Sequence, residues 1–184
     1  PEAGDKNGNH HDYFDKQFHK DEIMDYFFSW IVSILPQNRR PGKARSNPKR
    51  VVFTEADTYK ILKAVQVVKD EGLAKPILLG KTAKIKRLIE EFNLELDEVP
   101  IIDPYSDEEE NRRNSYAELL WKKRQRRGLT LYDAKKQMRE RNYFGSMMVE
   151  TGDADAMISG LTRKYAGTIV PALHSIGVAD GHKL

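Results

Sequence analysis

A chain of 184 residues with 39% hydrophobic side chains can bury the core of one domain or one and a fraction, and its 31 basic and 28 acidic residues, for a net charge of +3, lack the extreme charge of a disordered protein. The absence of cysteine excludes a disulfide framework and fits a reducing, cytoplasmic setting. The N-terminal PEAGDKNGNHHD lacks the basic start and apolar run of a secretory signal, and the longest apolar stretch, Tyr26 to Leu35, is about half of the roughly 20 residues that cross a bilayer, so no membrane partner is expected.

Residues 1 to 20 are polar and read as a tail. His11, Asp15 and His19 recur every four residues, but their polar surroundings fit scattered tail residues better than a metal site, and no metal is expected. Ile23, Phe27, Trp30, Ile31 and Ile34 then predict an amphipathic helix over Asp21 to Leu35, ended by Pro36, and Gln37 to Pro48 reads as a basic linker. Residues 1–48 therefore form one segment, and residues 49–184 a separate α/β domain.

From Arg50 onward, short β-branched runs alternate with amphipathic stretches, the pattern of βαβ units and a parallel sheet. Strands are predicted at Arg50 to Phe53, Pro76 to Leu79, Val99 to Ile102 and Ala156 to Ser159. Helices are predicted at Ala56 to Glu71, Thr82 to Phe92, Asp107 to Arg127, Leu131 to Arg139 and Tyr143 to Thr151. The fold class is α/β, a doubly wound sandwich of three layers around a mostly parallel sheet. Ligands of such sheets bind beyond the carboxyl ends of the strands, which selects the loops Thr54 to Asp57, Gly80 to Lys81, Asp103 to Ser106 and Gly160 to Arg163.

Among these, Ser159-Gly160 is the sharpest site candidate. A strand leaving through Ser-Gly into a helix can aim backbone N–H groups, a hydroxyl and a helix N-terminus at one anion, while Arg163 adds a guanidinium with bidentate reach. Tyr143, Phe144, Met147 and Met148 recur at helical spacing and read as core, with Phe144 and Gly145 near the floor of the cleft. His174 reads as a satisfied or surface histidine. Two basic clusters, Arg39 to Arg50 and Lys122 to Arg127, are offset by the acidic run Asp107 to Glu110 and carry no interleaved aromatics, so no nucleic-acid partner is expected. Walker A, GxGxxG and GxSxG sequences are absent.

The stretch YFGSMMVETGDADAMISGLTRKYAGTIVPAL resembles the phosphate acetyltransferase and butyryltransferase family, in the form found as the C-terminal part of hybrid bacterial malic enzymes. KARSNPKRVVFTEADTYKILKA from Lys43, KPILLGKTAKI from Lys75 and LLWKKRQRRGLTLYDAKKQMRERNYFG from Leu119 match in the same order, and the wording SGLTRKY favours the malic-enzyme branch. The resemblance implies a sandwich like that of isocitrate and isopropylmalate dehydrogenases, here covering only about the first half of the family unit. It implies phosphate or coenzyme A contacts from the Ser159-Gly160 loop and from Arg124; with Thr162 and with Arg163, a position at which the family varies, these form the candidate ligand set, and catalytic residues are unassigned. NADP, a divalent metal and malate chemistry would belong to an upstream malic enzyme domain outside this chain.

The family has an arginine immediately before Pro-Ala-Leu, where this chain has Val170. Loss of that guanidinium removes a charge-assisted hydrogen bond of about 1.5–3 kcal/mol. The expected role is therefore an acetyl-CoA-sensing regulatory and oligomerisation module, inactive as a fragment and self-associating into a homo-oligomer. The alternative is an active transferase that moves acetyl between coenzyme A and phosphate. The closing Gly181-His182-Lys183-Leu184 departs from the family.

Overall fold

The β-branched and aliphatic runs become four strands: β1 (Lys49–Phe53), β2 (Ala74–Leu79), β3 (Ile101–Ile102) and β4 (Ala156–Ile158). The structure, a computed structural model, describes residues 41–178 and residue 181. The predicted tail, its His11, Asp15 and His19, and the helix predicted over Asp21 to Leu35 lie outside these residues. All pairings are parallel, in the order β3-β2-β1-β4, with Val52 opposite Ile77 on one side and Met157 on the other.

Helices fill the crossovers. α1 (Pro41–Ser46) precedes β1, in place of part of the predicted linker, and opens on a proline, whose fixed φ and missing N–H suit a first helical position. α2 (Tyr59–Asp70) joins β1 to β2, and α3 (Thr82–Glu91) joins β2 to β3. The long crossover from β3 to β4 holds α4 (Glu110–Arg124), α5 (Leu131–Gln137) and α6 (Arg141–Glu150), and α7 (Tyr165–Ser175) follows β4.

The helix predicted over Asp107 to Arg127 is not uniform, because 3₁₀ turns at Asp107–Glu109 and Gln125–Arg127 flank α4. At its start, the buried Arg113 guanidinium bends back to donate to the carbonyls of Pro104, at 2.9 Å, and Ser106, which holds the entering chain against the helix. Thr130 caps α5 by accepting from the Asp133 N–H at 3.1 Å, satisfying one of its free donors.

The strands alternate between two cores, as a period of two dictates. Val52, Ile77 and Leu79 pack with Tyr116, Leu120, Phe144, Met147 and Met148 from α4 and α6. Phe53 and Leu78 point to the other face, against Leu62, Val65, Ile85 and Ile89 from α2 and α3. This is the predicted three-layer α/β sandwich, and the aromatic and methionine run of α6 is core as expected. Each fully buried Leu or Met contributes about 1.5–3 kcal/mol.

The strand order places the site. From β1 the chain proceeds to β2 on one side, while β4 arrives on the other side after the long crossover. The loops after β1 and β4 therefore diverge at their carboxyl ends, a topological switch point of the kind that opens a crevice. Among the described residues, no helix is long and apolar enough to cross a membrane.

Candidate functional site

At the switch point, β1 ends in the buried pair Thr54 and Glu55, with Glu55 only 2% exposed. Its carboxylate meets the loop after β4. The Leu161 N–H donates to Oε2 at 2.7 Å, the Thr162 N–H to both oxygens at 3.1 and 3.3 Å, and the Thr162 hydroxyl to Oε1 at 3.1 Å. The loop after the Ser-Gly turn thus aims its amides at a carboxylate of this chain. Gly160 makes the bend with φ of 116°, a left-handed region open to glycine.

The predicted junction of this turn with a helix N-terminus needs correction, because α7 begins only at Tyr165, with Lys164 as its N-cap. Leu161 and Thr162 turn their amides toward Glu55, so these residues are committed before the helix starts. Ser159 neither caps the helix nor faces Glu55. Its hydroxyl donates to Asn142 Oδ1 at 2.9 Å, while Asn142 Nδ2 donates to the Gly167 carbonyl at 2.8 Å. That carbonyl would otherwise be orphaned, since Pro171, four residues on, has no N–H to offer it. Asn142, 7% exposed, therefore ties the turn to the following helix.

Helix α6 underlies both features and lies close to the strand ends. A Cβ on Gly145 would fall 2.9 Å from Met157 Sδ, 3.0 Å from Thr54 Cγ2 and 3.2 Å from Leu79 Cδ1. Glycine is required there by proximity.

Beside the switch point, over the carboxyl ends of the strands, opens a cavity of about 490 Å³. Its lining draws on all four predicted loops through Asp57, Gly80, Lys81, Asp103, Tyr105 and Arg163, and adds Arg139, Glu140 and Arg141 from the entry to α6. Arg141 donates to Asp57 at 2.6 Å, and Lys84 adds a longer bond to the same carboxylate at 3.4 Å. Burial pushes the Asp57 carboxyl up, but the hydrogen bond and charge of Arg141, with Lys84, outweigh it and hold the group below the usual range. Arg163 reaches Glu140 only at 3.8 Å. The cavity thus offers several cations, of which Arg141 is anchored through Asp57.

Arg124 lies elsewhere, in a second cavity of about 620 Å³ lined by Lys123, Arg124, Arg127, Val170, Leu173, His174 and the residues through Val178. Val170, 36% exposed, faces this space, so the guanidiniums beside it are Arg124 and Arg127, while Arg163 lines the other cavity. His174 is satisfied, as predicted, by Tyr143, whose hydroxyl lies 2.9 Å from Nδ1. Burial, with Arg124 and Arg127 nearby, lowers the His174 pKa, and burial raises that of Tyr143 against the opposing effect of Arg124.

The predicted residues are thus brought together only in part. Ser159, Gly160 and Thr162 build the switch-point loop, Arg163 crosses to the strand-end cavity, and Arg124 belongs to the α7 cavity. Glu55 and Lys81 fall within loops that the sequence selects but are not singled out there, and Asn142, Arg139 and Arg141 are not picked out; the hint for the two arginines is the Arg-Glu-Arg run before the aromatic start of α6.

The phosphate acetyl/butaryl transferase family model matches residues 38–184. A phosphate acetyltransferase of Thermoanaerobacterium thermosaccharolyticum is 35% identical over 142 residues, 77% of this chain and 42% of that protein. One from Helicobacter pylori is 34% identical over 154 residues, 84% of this chain and 29% of that protein. The EutD phosphotransacetylase from Staphylococcus aureus superposes with a TM-score of 0.65 at 26% identity, covering 78% of this chain and 42% of that one. The chain spans about two-fifths or less of the length of these relatives. By the extent of the family match and by these identities, the chain belongs to the phosphate acetyl/butaryl transferase family.

Proposed function

We propose that the chain is part of a phosphate acetyltransferase that moves an acetyl group between coenzyme A and phosphate. The observation that carries this reading is the strand-end cavity, where Lys81, Arg139, Arg141 and Arg163 stand beyond the carboxyl ends of a parallel sheet. Names of relatives at 34–35% identity support it. In the proposed reaction the coenzyme A thiolate attacks the acetyl carbonyl of acetyl phosphate. A C–S bond forms, the C–O bond to phosphate breaks, and inorganic phosphate leaves. The cations would stabilise charge on the departing phosphoryl oxygens, and a fixed geometry would hold the two substrates in reacting range. Titration calorimetry with acetyl phosphate and with coenzyme A, alongside an assay for acetyl-CoA formed from the two, tests the proposal. Absence of binding to either ligand at millimolar concentration, together with absence of product, would remove it.

A second reading is favoured by Val170: an acetyl-CoA-sensing, self-associating regulatory module of a hybrid NADP-dependent malic enzyme. The cavity that Val170 faces keeps Arg124 and Arg127 for a phosphate and apolar side chains for an acyl or pantetheine segment. The exposed Val170, Ile176 and Val178 support self-association. Here acetyl-CoA binds and shifts the sedimentation coefficient of the chain, while acetyl phosphate does neither. That pattern separates the second reading from the first.

A further inference from the structure

The loop amides that would receive a ligand anion are already committed. Glu55 is almost fully removed from water, and none of the ion pairs among the described residues includes it. Its charge is met by neutral donors, two consecutive backbone N–H groups and one hydroxyl, all from Leu161 and Thr162. A buried carboxylate held this way is costly to leave without partners, so an incoming phosphate gains little by displacing it. The next residue, Arg163, lines the strand-end cavity, and its contact with Glu140 at 3.8 Å is too long to set its place. The backbone of the loop does that instead.

We propose that Glu55 is the resident anion of this loop. It is a positioning residue that holds Leu161 and Thr162 across the switch point and so sets Arg163 over the neighbouring cavity. The phosphoryl group of a ligand then falls to the side chains of Arg163, Arg139, Arg141 and Lys81 rather than to the loop amides. The ligand half of this inference rests on the acetyl phosphate reading above. The bracing role of Glu55 stands on geometry alone.

The test uses the 184-residue chain with Glu55→Gln, which keeps the volume but turns one acceptor oxygen into a donor facing donors. Amide hydrogen exchange at Leu161 and Thr162 speeds by about tenfold while the helical circular-dichroism signal is retained, and acetyl phosphate binds about tenfold more weakly. In a Glu55→Gln, Arg163→Gln double variant, binding is no weaker than in Arg163→Gln alone, because Glu55 acts through Arg163. In Glu55→Ala, added acetate restores slow exchange at the two amides by filling the vacated space, a rescue that a purely packing role would not show. Thr162→Val, which removes only the hydroxyl donor, gives a smaller acceleration and serves if Glu55 variants fail to fold.

Unchanged exchange in both Glu55→Gln and Thr162→Val, or tighter acetyl phosphate binding in Glu55→Gln, would overturn the proposal. Tighter binding would make Glu55 a competitor for the ligand's place. If the unaltered chain binds no acetyl phosphate, the ligand half fails with the functional reading it rests on, and the exchange and acetate experiments decide the bracing role by themselves.

Discussion

In the cavity at the strand ends, Lys81, Arg139, Arg141 and Arg163 are interleaved with Asp57, Asp103 and Glu140, whereas beside α7 Lys123, Arg124 and Arg127 face Val170, Leu173, Ile176 and Val178 without a carboxylate in the lining. Interleaving fixes geometry at the expense of field: Arg141 is pinned to Asp57 at 2.6 Å, so its guanidinium is in place before any ligand arrives. The α7 cavity keeps a stronger unbalanced field and an apolar wall, a combination suited to a ligand that is charged at one end and greasy along its length. Lys123 is tied down there by Glu150 and by the Ser175 carbonyl at 2.6 Å. Anchored charges favour a small, rigid anion, and crowded charges on an apolar wall favour a longer one.

The strongest way to break the contrast is Gly145→Val. Side-chain atoms where only hydrogen now fits would push α6 off Met157, Thr54 and Leu79, costing about 2–3 kcal/mol in urea denaturation. Because α6 carries Arg141 at its first turn, acetyl phosphate binding should fall with it. Asp57→Ala comes next. It leaves the Arg141 guanidinium, 19% exposed, without its carboxylate and destabilises the chain by about 1–2 kcal/mol. Acetyl phosphate affinity should drop as the arginine loosens, while the acetyl-CoA binding that the second reading assigns to the α7 cavity should be unaffected.

Much of this arrangement is legible in the sequence, and its omissions have physical causes. The four strands are visible as β-branched runs, and the rule about carboxyl ends selects the loops that line the anchored cavity. Periodicity says nothing about partners, so the sequence does not reveal that β4 joins the edge beside β1. Glu55, 107 positions before Thr162, looks like an ordinary loop acid next to a strand. Asn142 reads only as the start of a helix, because its value comes from bridging Ser159 to a carbonyl orphaned by Pro171. Arg124 and Arg163 both read as phosphate contacts, and only the packing of α7 against α4 and α6 assigns them to different cavities.

Two smaller effects sharpen the comparison. Val170→Arg restores a guanidinium beside Arg124 and Arg127 and should tighten coenzyme A binding by up to about tenfold in calorimetry, while changing stability by less than about 0.5 kcal/mol. The smallest effect is a pH response. His174 has a lowered pKa in the folded chain, so below its ordinary value of about 6.5 the unfolded state takes up the proton first. Stability is therefore fully present above that pH and falls as pH drops toward the folded value. His174→Gln should flatten the slope in urea titrations between neutral and mildly acidic pH. A second fall belongs to carboxylates with lowered pKa. Asp155, held at about 2 by its side-chain and backbone hydrogen bonds from Arg50, and Asp57 both act below their ordinary 3.8.

The order β3-β2-β1-β4 also sets a schedule during synthesis. β1 and β2 are neighbours in the chain and can pair early, but one edge of β1 waits for β4, whose Met157 registers against Val52. At roughly 5–20 residues per second, the 107 positions between Glu55 and Thr162 take about 5–20 s to emerge. Throughout that interval Glu55 lacks the Leu161 and Thr162 donors that surround it in the finished fold, so the last edge of β1 and the partners of this carboxylate arrive together.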